Sequence, residues 1–261
     1  MTINYTINLI GAGINNTIID CSNIWSNSQI TGIHIQADNC NLQGFTLTKS
    51  SSTAKVIGIK VNSYHNNISH ITISNVSEGL YLERNSNINT ICWNTISNNN
   101  WGIYIENSFY NNFSNNYISS NREYGIYLES FSYNNMISSN CISLNEYGIR
   151  IKSATHNTII YNSITHNSIG VYCCCGGYFN SIILNTFKNN TEFNAIESGL
   201  EYGNYWNTDY PSYEGNYWDD YYGVDENNDG FGDTSYDIPS IGSKDSYPLM
   251  KPNENTICIS K

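Results

Sequence analysis

Single apolar residues between polar neighbours recur along most of this chain. From residue 111 the sequence reads NNFSNNYISSNREYGIYLES, and from residue 131 it reads FSYNNMISSNCISLNEYGIRI. Both stretches contain Asn-x-apolar-x-x-Asn-x-Ile-x-x-Asn, followed after a short gap by Gly-Ile-x-apolar. An apolar residue flanked by polar ones is typical of a short strand that turns one side chain inward. Three such strands in each copy predict a coil with three sides.

The same pattern returns at a nearly constant spacing. Its glycine recurs about every 21 to 26 residues, at Gly32, Gly58, Gly79, Gly102, Gly125, Gly148 and Gly170. This period is too short for a strand, a full helix and two turns, so each coil closes through turns and stacks on the next. We therefore predict an all-β fold, a single-stranded parallel β-helix of roughly eight three-sided coils. The rule for parallel crossovers predicts that it is right-handed.

Three asparagine columns separate the predicted strands. They contain Asn66, Asn89, Asn111, Asn135, Asn157 and Asn180; Asn94, Asn116, Asn140, Asn162 and Asn185; and Asn99, Asn121, Asn145, Asn167 and Asn190. We expect these asparagines to adopt left-handed backbone geometry at the corners and to hydrogen-bond from coil to coil. Ile71 and Val76 precede two of the columns, which indicates that these corners point inward.

The repeat stops near residue 198. We predict a β-helix over residues 1–198 and a capping segment over residues 199–261, rich in Tyr, Trp and Asp, with two Gly-Asn-Tyr-Trp units that begin at Gly203 and Gly215. Residues 3–20 have the pattern of an ordinary coil, and no amphipathic helix precedes them. We therefore expect that the first coil lacks its cap, and that self-association is one way to cover it.

The charge balance excludes several classes of protein. The chain has 22 acidic and 11 basic residues, a net charge of −11. Without a basic cluster, binding to nucleic acid or to an anionic membrane is not expected. No apolar run approaches the roughly 18 residues of a membrane span, and the first residues lack the pattern of a secretion signal.

Eight cysteines leave three possibilities open. No two of them lie in one column of adjacent coils, where a disulfide forms most easily, so we expect most to be free thiols. Cys21 and Cys40 are the best candidate pair. A thiolate metal site around Cys173, Cys174 and Cys175 is the third possibility, but the chain lacks the C-x-x-C spacing of such sites.

The repeats and the tail together resemble those of NosD-type β-helix proteins, the group with carbohydrate-binding and sugar-hydrolase (CASH) repeats. The tail motifs are GNYWDDY from Gly215, the loop from Asp225 to Asp233, and DSYPLM from Asp245, and they resemble the endings of archaeal surface proteins of this type. The resemblance implies an extracellular or cell-surface location and roles at surfaces or with polysaccharides. This sequence differs from the family pattern in two respects: its Gly-Asn-Tyr-Trp unit is doubled, and the usual export signal is not seen in it. The family name also implies copper, which the five scattered histidines do not favour.

The tail contains a loop with the spacing of calcium ligands. Its oxygen-bearing positions 1, 3, 5, 7 and 9 are occupied by Asp225, Asn227, Asp229, Phe231 (through its carbonyl) and Asp233, and Gly230 stands at position 6. Position 12 is not Glu, so Asp237 or the more distant Asp219, Asp220 or Asp245 would have to complete the shell. We expect a structural Ca²⁺ site, and the alternative is an ion-free loop held by hydrogen bonds.

The strand after each glycine predicts an outer face of stacked side chains. One column contains Tyr81, Tyr104, Tyr127, Arg150 and Tyr172, and the column two residues later contains Glu83, Glu106, Glu129 and Lys152. Stacked tyrosines offer a platform for sugar rings, whereas simple cross-strand stacking is the structural alternative. A third interpretation places catalytic chemistry at Tyr127, Glu129, Arg150 and Lys152, where the face turns basic.

Three functional hypotheses follow from the sequence. The first is a non-catalytic extracellular or cell-surface β-helix whose Tyr and Glu columns contact polysaccharides or surface glycans. The second is a polysaccharide-active enzyme, either a lyase, a hydrolase or an epimerase, which needs a pair of carboxylates or a base with a charge-neutralising group. The third is an accessory protein in the maturation of a copper enzyme.

Overall fold

In the computed structural model the chain folds into short strands that recur three to a coil. The structure describes all residues except 23–28, 51–54, 200, 209–210, 240–241, 257 and 259–261. The strands in chain order are β1 Thr2–Ile3, β2 Asn8–Ile10, β3 Ile18–Asp20, β4 Ile30–Ile35, β5 Asn41–Gln43, β6 Thr46–Thr48, β7 Val56–Val61, β8 Asn67–Ser69, β9 Thr72–Ser74, β10 Glu78–Leu82, β11 Thr90–Cys92, β12 Thr95–Ser97, β13 Trp101–Glu106, β14 Asn112–Ser114, β15 Tyr117–Ser119, β16 Tyr124–Glu129, β17 Met136–Ser138, β18 Cys141–Ser143, β19 Tyr147–Lys152, β20 Thr158–Ile160, β21 Ser163–Thr165, β22 Ile169–Cys174, β23 Ser181–Ile183, β24 Thr186–Lys188, β25 Phe193–Ser198, β26 Tyr217–Trp218, β27 Tyr236–Asp237 and β28 Lys244–Asp245. A single 3-10 turn, Glu254–Thr256, follows in the described part of the tail.

The strands of successive coils stack into three parallel sheets. Sheet 1 contains β1 and every third strand to β25, sheet 2 runs from β2 to β23, and sheet 3 runs from β3 to β24 and then adds β26. These sheets have nine, eight and nine strands, and β27 and β28 form a separate antiparallel pair. The predicted all-β parallel β-helix is therefore confirmed, with a number of coils close to the roughly eight expected.

The inward side chains form one continuous core. Two columns of it are completely buried: Ile68, Ile91, Phe113, Ile137, Ile159 and Ile182 in sheet 2, and Ile73, Ile96, Ile118, Ile142, Ile164 and Phe187 in sheet 3. Burying one such side chain is worth about 1.5–3 kcal/mol. No single coil could bury this apolar surface alone, so the coils stabilise one another.

Asparagine side chains form a hydrogen-bonded ladder at each corner. In a typical rung, Oδ1 of Asn116 accepts hydrogen bonds from the backbone N–H and Nδ2 of Asn94, at 3.0 and 3.1 Å. Nδ2 of Asn116 in turn donates to Oδ1 of Asn140 at 3.0 Å. Ile71 and Val76, which precede two of the ladders, are 1% and 5% exposed. The corners therefore point inward and the coil-to-coil hydrogen bonds exist, as predicted.

The left-handed residue at each corner is the one before the ladder asparagine, and our prediction for the asparagines themselves was wrong. At the second corner, φ lies between +53° and +59° at His70, Trp93, Asn115, Ser139, Tyr161 and Leu184. The asparagines of the columns contribute their side-chain amides, which form the hydrogen bonds of the ladder. A non-glycine residue in this region costs about 1–2 kcal/mol, which the ladder hydrogen bonds made by the next residue offset.

The glycine column lies where sheet 3 turns into sheet 1, and neighbouring coils approach each other closely there. A Cβ atom on Gly125 would lie 2.6 Å from the carbonyl oxygen of Gly148 and 3.0 Å from Nδ2 of Asn145. Both distances are too short for a carbon atom. The recurrent glycine is therefore required by close packing of the backbone.

The two Gly-Asn-Tyr-Trp units supply the last rungs of two ladders. Asn204 accepts the hydrogen bonds of Asn180 at 2.9 Å, and Asn216 accepts those of Asn185 at 3.0 and 3.1 Å. The tryptophan that follows each asparagine by two residues is 1% exposed and belongs to the core; these are Trp206 and Trp218. The two Gly-Asn-Tyr-Trp units thus do the same thing at two corners: the asparagine extends a ladder and the tryptophan covers the core.

A buried acid ends each of these ladders. Oε1 of Glu197 accepts hydrogen bonds from the backbone N–H and Nδ2 of Asn204, at 3.0 and 2.8 Å, and from the indole of Trp206 at 3.1 Å. Oδ2 of Asp245 likewise accepts from the backbone N–H of Asn216 at 2.7 Å and from the indole of Trp218 at 2.9 Å. Both acids are fully buried.

The third ladder ends on two more acids. Nδ2 of Asn190 donates to Oδ1 of Asn194 at 2.9 Å. Nδ2 of Asn194 donates to Asp219 and Asp220, at 3.0 and 2.7 Å. An acidic acceptor therefore ends the ladder at every corner, Glu197 from β25 at one of them and acids of the capping segment at the other two.

One disulfide ties the tail to the repeat, between Cys141 and Cys258. Cys21 and Cys40, the pair favoured by the sequence, are both free and buried. That prediction was wrong because it considered only cysteines in adjacent coils, whereas Cys258 lies outside the repeat. The bond fixes the tail to sheet 3 across 117 residues of chain.

Candidate functional site on the outer face of sheet 1

The outer surface of sheet 1 carries the two predicted columns in register. We call it the Tyr/Glu face, and it comprises Tyr81, Tyr104, Tyr127, Tyr172, Glu83, Glu106 and Glu129. The rings of Tyr81 and Tyr104 stack with centroids 4.8 Å apart, and those of Tyr104 and Tyr127 at 5.4 Å. Because the rings cover each other's faces, mainly their edges point outward, and Tyr127 is only 6% exposed.

Each glutamate of the face has protein partners. Glu83 accepts from Lys60 at 2.8 Å, and Glu129 accepts from Lys152 at 2.7 Å and from the hydroxyl of Tyr104 at 3.0 Å. The third carboxylate, Glu106, pairs with Arg84 at 2.9 Å and accepts from the hydroxyl of Tyr81. The repulsion expected between stacked carboxylates is therefore relieved inside the face.

These contacts shift the acidity of the groups in opposite directions. Burial, followed by the hydrogen bond to Glu106, holds the pKa of Tyr81 far above its usual range. Burial also opposes ionisation of Glu129, but hydrogen bonds from Lys152 and Tyr104 outweigh it and lower the pKa of that carboxyl. At neutral pH Tyr81 is therefore a hydrogen-bond donor and Glu129 is a charged acceptor.

Arg150 lies inside a cage of four tyrosines. Its guanidinium carbon is 5.4–5.7 Å from the ring centroids of Tyr124, Tyr127, Tyr147 and Tyr172, a geometry of favourable cation–π contact. One guanidinium nitrogen donates to the hydroxyl of Tyr124 at 2.8 Å. The ion pairs of the described residues involve Lys60, Arg84 and Lys152 but not Arg150, and its Nε is buried without a hydrogen-bond partner.

A second aromatic column on this face was missed in the sequence. It consists of Trp101, Tyr124 and Tyr147, each directly before the glycine of its repeat and paired in register with the next. Trp101 packs edge-on against Tyr104 and Tyr127, at 5.2 and 5.8 Å. The signal in the sequence was the aromatic residue that precedes Gly in three consecutive repeats.

The structure brings together the four residues considered for catalysis and gives each of them protein contacts. The pKa of Tyr127 is raised far above its usual range, first by burial and then by its hydrogen bond with Glu129, so it stays protonated. Glu129 is held by Lys152, and Arg150 is held by rings. The carboxylate among these four residues, that of Glu129, is thus engaged by Lys152 at 2.7 Å.

The loop predicted to bind calcium is held by its own carboxylates. The side chain of Asp225 accepts the backbone N–H groups of Asp229 and Gly230, at 3.1 and 3.0 Å. Asp229 accepts the N–H of Phe231 at 2.9 Å, and φ of Gly230 is +93°. Asp233 accepts a backbone N–H at 2.8 Å. The loop thus has the sharp turn that was predicted, and calcium binding stays a prediction.

Outside the Tyr/Glu face, a shallow depression of about 480 Å³ follows the third corner. It spans adjacent coils and includes Arg122, Glu146 and His166 among its lining residues. All three side chains are exposed. The depression therefore offers an open polar surface rather than an enclosed site.

The sequence matches a known family over most of its length. The family model described as periplasmic copper-binding protein (NosD) covers residues 14–223. The chain belongs to the NosD family. This agrees with the predicted location outside the cytoplasm, and the described residues include no helix long and apolar enough to cross a bilayer. No curated protein matches the sequence.

Similarity to solved structures concerns the fold. A mutant of the periplasmic alginate epimerase AlgG has a TM-score of 0.60 and 20% identity, over 67% of this chain and 46% of that one. AlgG itself has a TM-score of 0.52 and 18% identity, over 77% and 59%. The chain therefore spans about half the length of these epimerases, and identities this low establish a shared β-helix fold only.

The residues present do not fit the copper that the NosD description implies. In the part of the chain that the structure describes, no three His, Cys, Asp or Glu side chains are grouped to hold a metal ion. Among the consecutive cysteines, Cys173 and Cys174 are buried and Cys175 is exposed. Burial raises the pKa of Cys173 well above its usual value, which disfavours the thiolate that a soft metal needs.

Proposed function

We propose that the protein is a non-catalytic β-helix of the periplasm or cell surface whose Tyr/Glu face binds a glycan that carries carboxylate groups. The observation that carries this proposal is Arg150. It is the cation of the face that lacks a carboxylate within 4.0 Å among the described residues. A planar guanidinium suits recognition of a carboxylate by paired hydrogen bonds.

The neighbourhood of Arg150 suits a sugar acid better than a small ion. Tyrosine edges and hydroxyls surround it. Glu129 lies on the neighbouring strand, two residues after Tyr127. Its carboxylate offers acceptor positions for sugar hydroxyls. The half-buried setting strengthens a charge-assisted hydrogen bond relative to one in water. The similarity in fold to alginate epimerases makes alginate, a polymer of sugar acids, the first ligand to test.

The carboxylates and tyrosines of the face support binding rather than catalysis. Glycoside hydrolysis requires two carboxyl groups with separate roles, but Glu83, Glu106 and Glu129 are each engaged by a cation of the protein. The tyrosine pKa values are too high for a general base at neutral pH. An enzyme acting on uronate polymers remains the second hypothesis, and it predicts measurable product.

Titration calorimetry with alginate, other uronate polymers and neutral glycans tests the proposal. Arg150→Gln is expected to lower the affinity for uronate polymers at least tenfold, and Arg122→Gln, an exposed arginine at the third corner, serves as the matched control. Equal affinity of Arg150→Gln and the unchanged protein would refute the proposed site. Formation of unsaturated, shortened or epimerised product would refute the non-catalytic part. A tight copper site in a parallel titration would instead favour a role in copper-enzyme maturation.

A further inference from the structure

Phe131 combines an unfavourable backbone with an unpacked side chain. Its φ is +65°, and the preceding Ser130 is also left-handed, at +53°. The Phe131 side chain is 75% exposed. An aromatic residue in this conformation is strained, and a ring so exposed regains little of that cost by packing.

The strain arises from one additional residue in this turn. After β13 and after β19 a single left-handed residue, Asn107 or Ser153, leads out of sheet 1. After β16 the turn has two, Ser130 and Phe131. A doubled turn also follows β22, but its second left-handed residue is Gly176, at φ +89°. Glycine meets the backbone requirement without strain, so folding alone does not account for phenylalanine at this position.

Phe131 lies at the edge of the Tyr/Glu face. Its backbone N–H donates to the carbonyl oxygen of Ser153 at 2.6 Å, and Ser153 directly follows Lys152. Glu129, the partner of Lys152, is two residues before Phe131 along the chain. The Phe131 backbone therefore leaves sheet 1 beside the strand ends that carry Glu129 and Lys152, in the coil next to that of Arg150.

We infer that Phe131 is a stacking residue for a sugar ring of the glycan bound at the Tyr/Glu face. This inference rests on the proposed function and adds a subsite to it. A pyranose ring has an apolar C–H face and a polar rim, so it can cover the phenyl ring while its hydroxyls reach the ion pair. An apolar protein segment on Phe131 would instead have to desolvate the charges of Glu129 and Lys152, which is unfavourable.

The backbone strain gives this inference a sharp test, because Phe131→Gly removes the ring and relieves the strain together. Phe131→Gly is expected to leave the melting temperature unchanged or higher and to lower the affinity for uronate polymers at least tenfold. Phe131→Tyr should retain the affinity. Trp93→Gly is the matched control, since it removes an exposed aromatic with φ of +59° from the second corner.

The outcomes separate the subsite from the function on which it rests. If Arg150→Gln loses affinity but Phe131→Gly binds like the unchanged protein, the stacking role is refuted and the proposed function stands. A melting temperature lowered by several degrees in Phe131→Gly would assign the ring a structural role and overturn the inference. If the unchanged protein binds no uronate polymer, both are overturned.

Discussion

Asn116→Ala tests whether the asparagine ladders determine the stability of the β-helix. The Asn116 side chain is 1% exposed and makes four hydrogen bonds. It accepts two from Asn94, at 3.0 and 3.1 Å. It donates to the carbonyl oxygen of Ile91 at 2.9 Å and to Oδ1 of Asn140 at 3.0 Å. Alanine removes all four and leaves the buried N–H of Asn94 without its acceptor.

The expected effect is large compared with an ordinary polar substitution. Each buried hydrogen bond contributes about 1 kcal/mol net, and an orphaned buried N–H costs a further 1–3 kcal/mol or so. The sum predicts a loss of about 5–7 kcal/mol in the free energy of unfolding. A typical domain has roughly 5–15 kcal/mol in total, so the variant should be close to unfolding at 37 °C.

Urea denaturation followed by tryptophan fluorescence and circular dichroism measures this loss. Asn115→Gly is the matched control, because Asn115 is adjacent, left-handed and outside the ladder. It should be neutral or slightly stabilising, since glycine relieves the strained φ. A loss below about 1.5 kcal/mol for Asn116→Ala, or an equal loss for both variants, would refute the view that the ladders govern stability.

Three further measurements test other parts of the structure. Excess calcium should raise the melting temperature, and Asp225→Asn should abolish the rise. A melting temperature that is the same with calcium and with excess chelator would refute the calcium hypothesis. Reduction of the Cys141–Cys258 bond, which spans 117 residues, should lower the free energy of unfolding by up to about 5 kcal/mol, and insensitivity of the unchanged protein to reductant would contradict this. Burial raises the pKa of Asp245 from 3.8 to about 6, so the folded state binds this proton more tightly than the unfolded chain. Its contribution to stability is then complete below about pH 4 and is lost as the pH rises through about 6. Asp245→Asn should flatten that slope, and an equally steep slope in the variant would refute the assignment.

The fold was predictable because every coil repeats the same physical solution. Ile118 and Ile142 each lie in the middle of a short strand between polar or partly exposed neighbours, as the alternation of a strand requires. The nearly equal spacing between coils then fixes their register. The last rung of the second ladder was not predictable in this way. Asn216 follows Asn185 by 31 residues, and this longer connection hides the rung from any search at a fixed period.

The candidate site was only partly predictable, because strict alternation fails at the glycine. Gly102 and Ile103 both point inward, as the contact of a Cβ on Gly102 with Ile118 indicates. Trp101 therefore returns to the outer face, whereas alternation counted back from Ile103 would place it inside. The cage around Arg150 depends on this displaced column, since Tyr124 and Tyr147 belong to it. The break in alternation at the glycine therefore places two of the four rings around Arg150.

The direction of the ladders explains the acidic side chains at their ends. In each rung Oδ1 faces the preceding coil and the backbone N–H and Nδ2 face the following one, so aligned amide dipoles leave donors at the C-terminal end. Carboxylates stand at those ends: Glu197, Asp245, and the pair Asp219 and Asp220. An ionised carboxylate accepts hydrogen bonds and donates none, so the ladder ends there. The last three had been considered as distant calcium ligands, but their oxygens are already engaged in ending ladders. Of the acids considered for completing the shell, Asp237 is the exposed one that ends no ladder. A calcium site in this tail would therefore have Asp225 at its centre and Asp237 as the additional ligand.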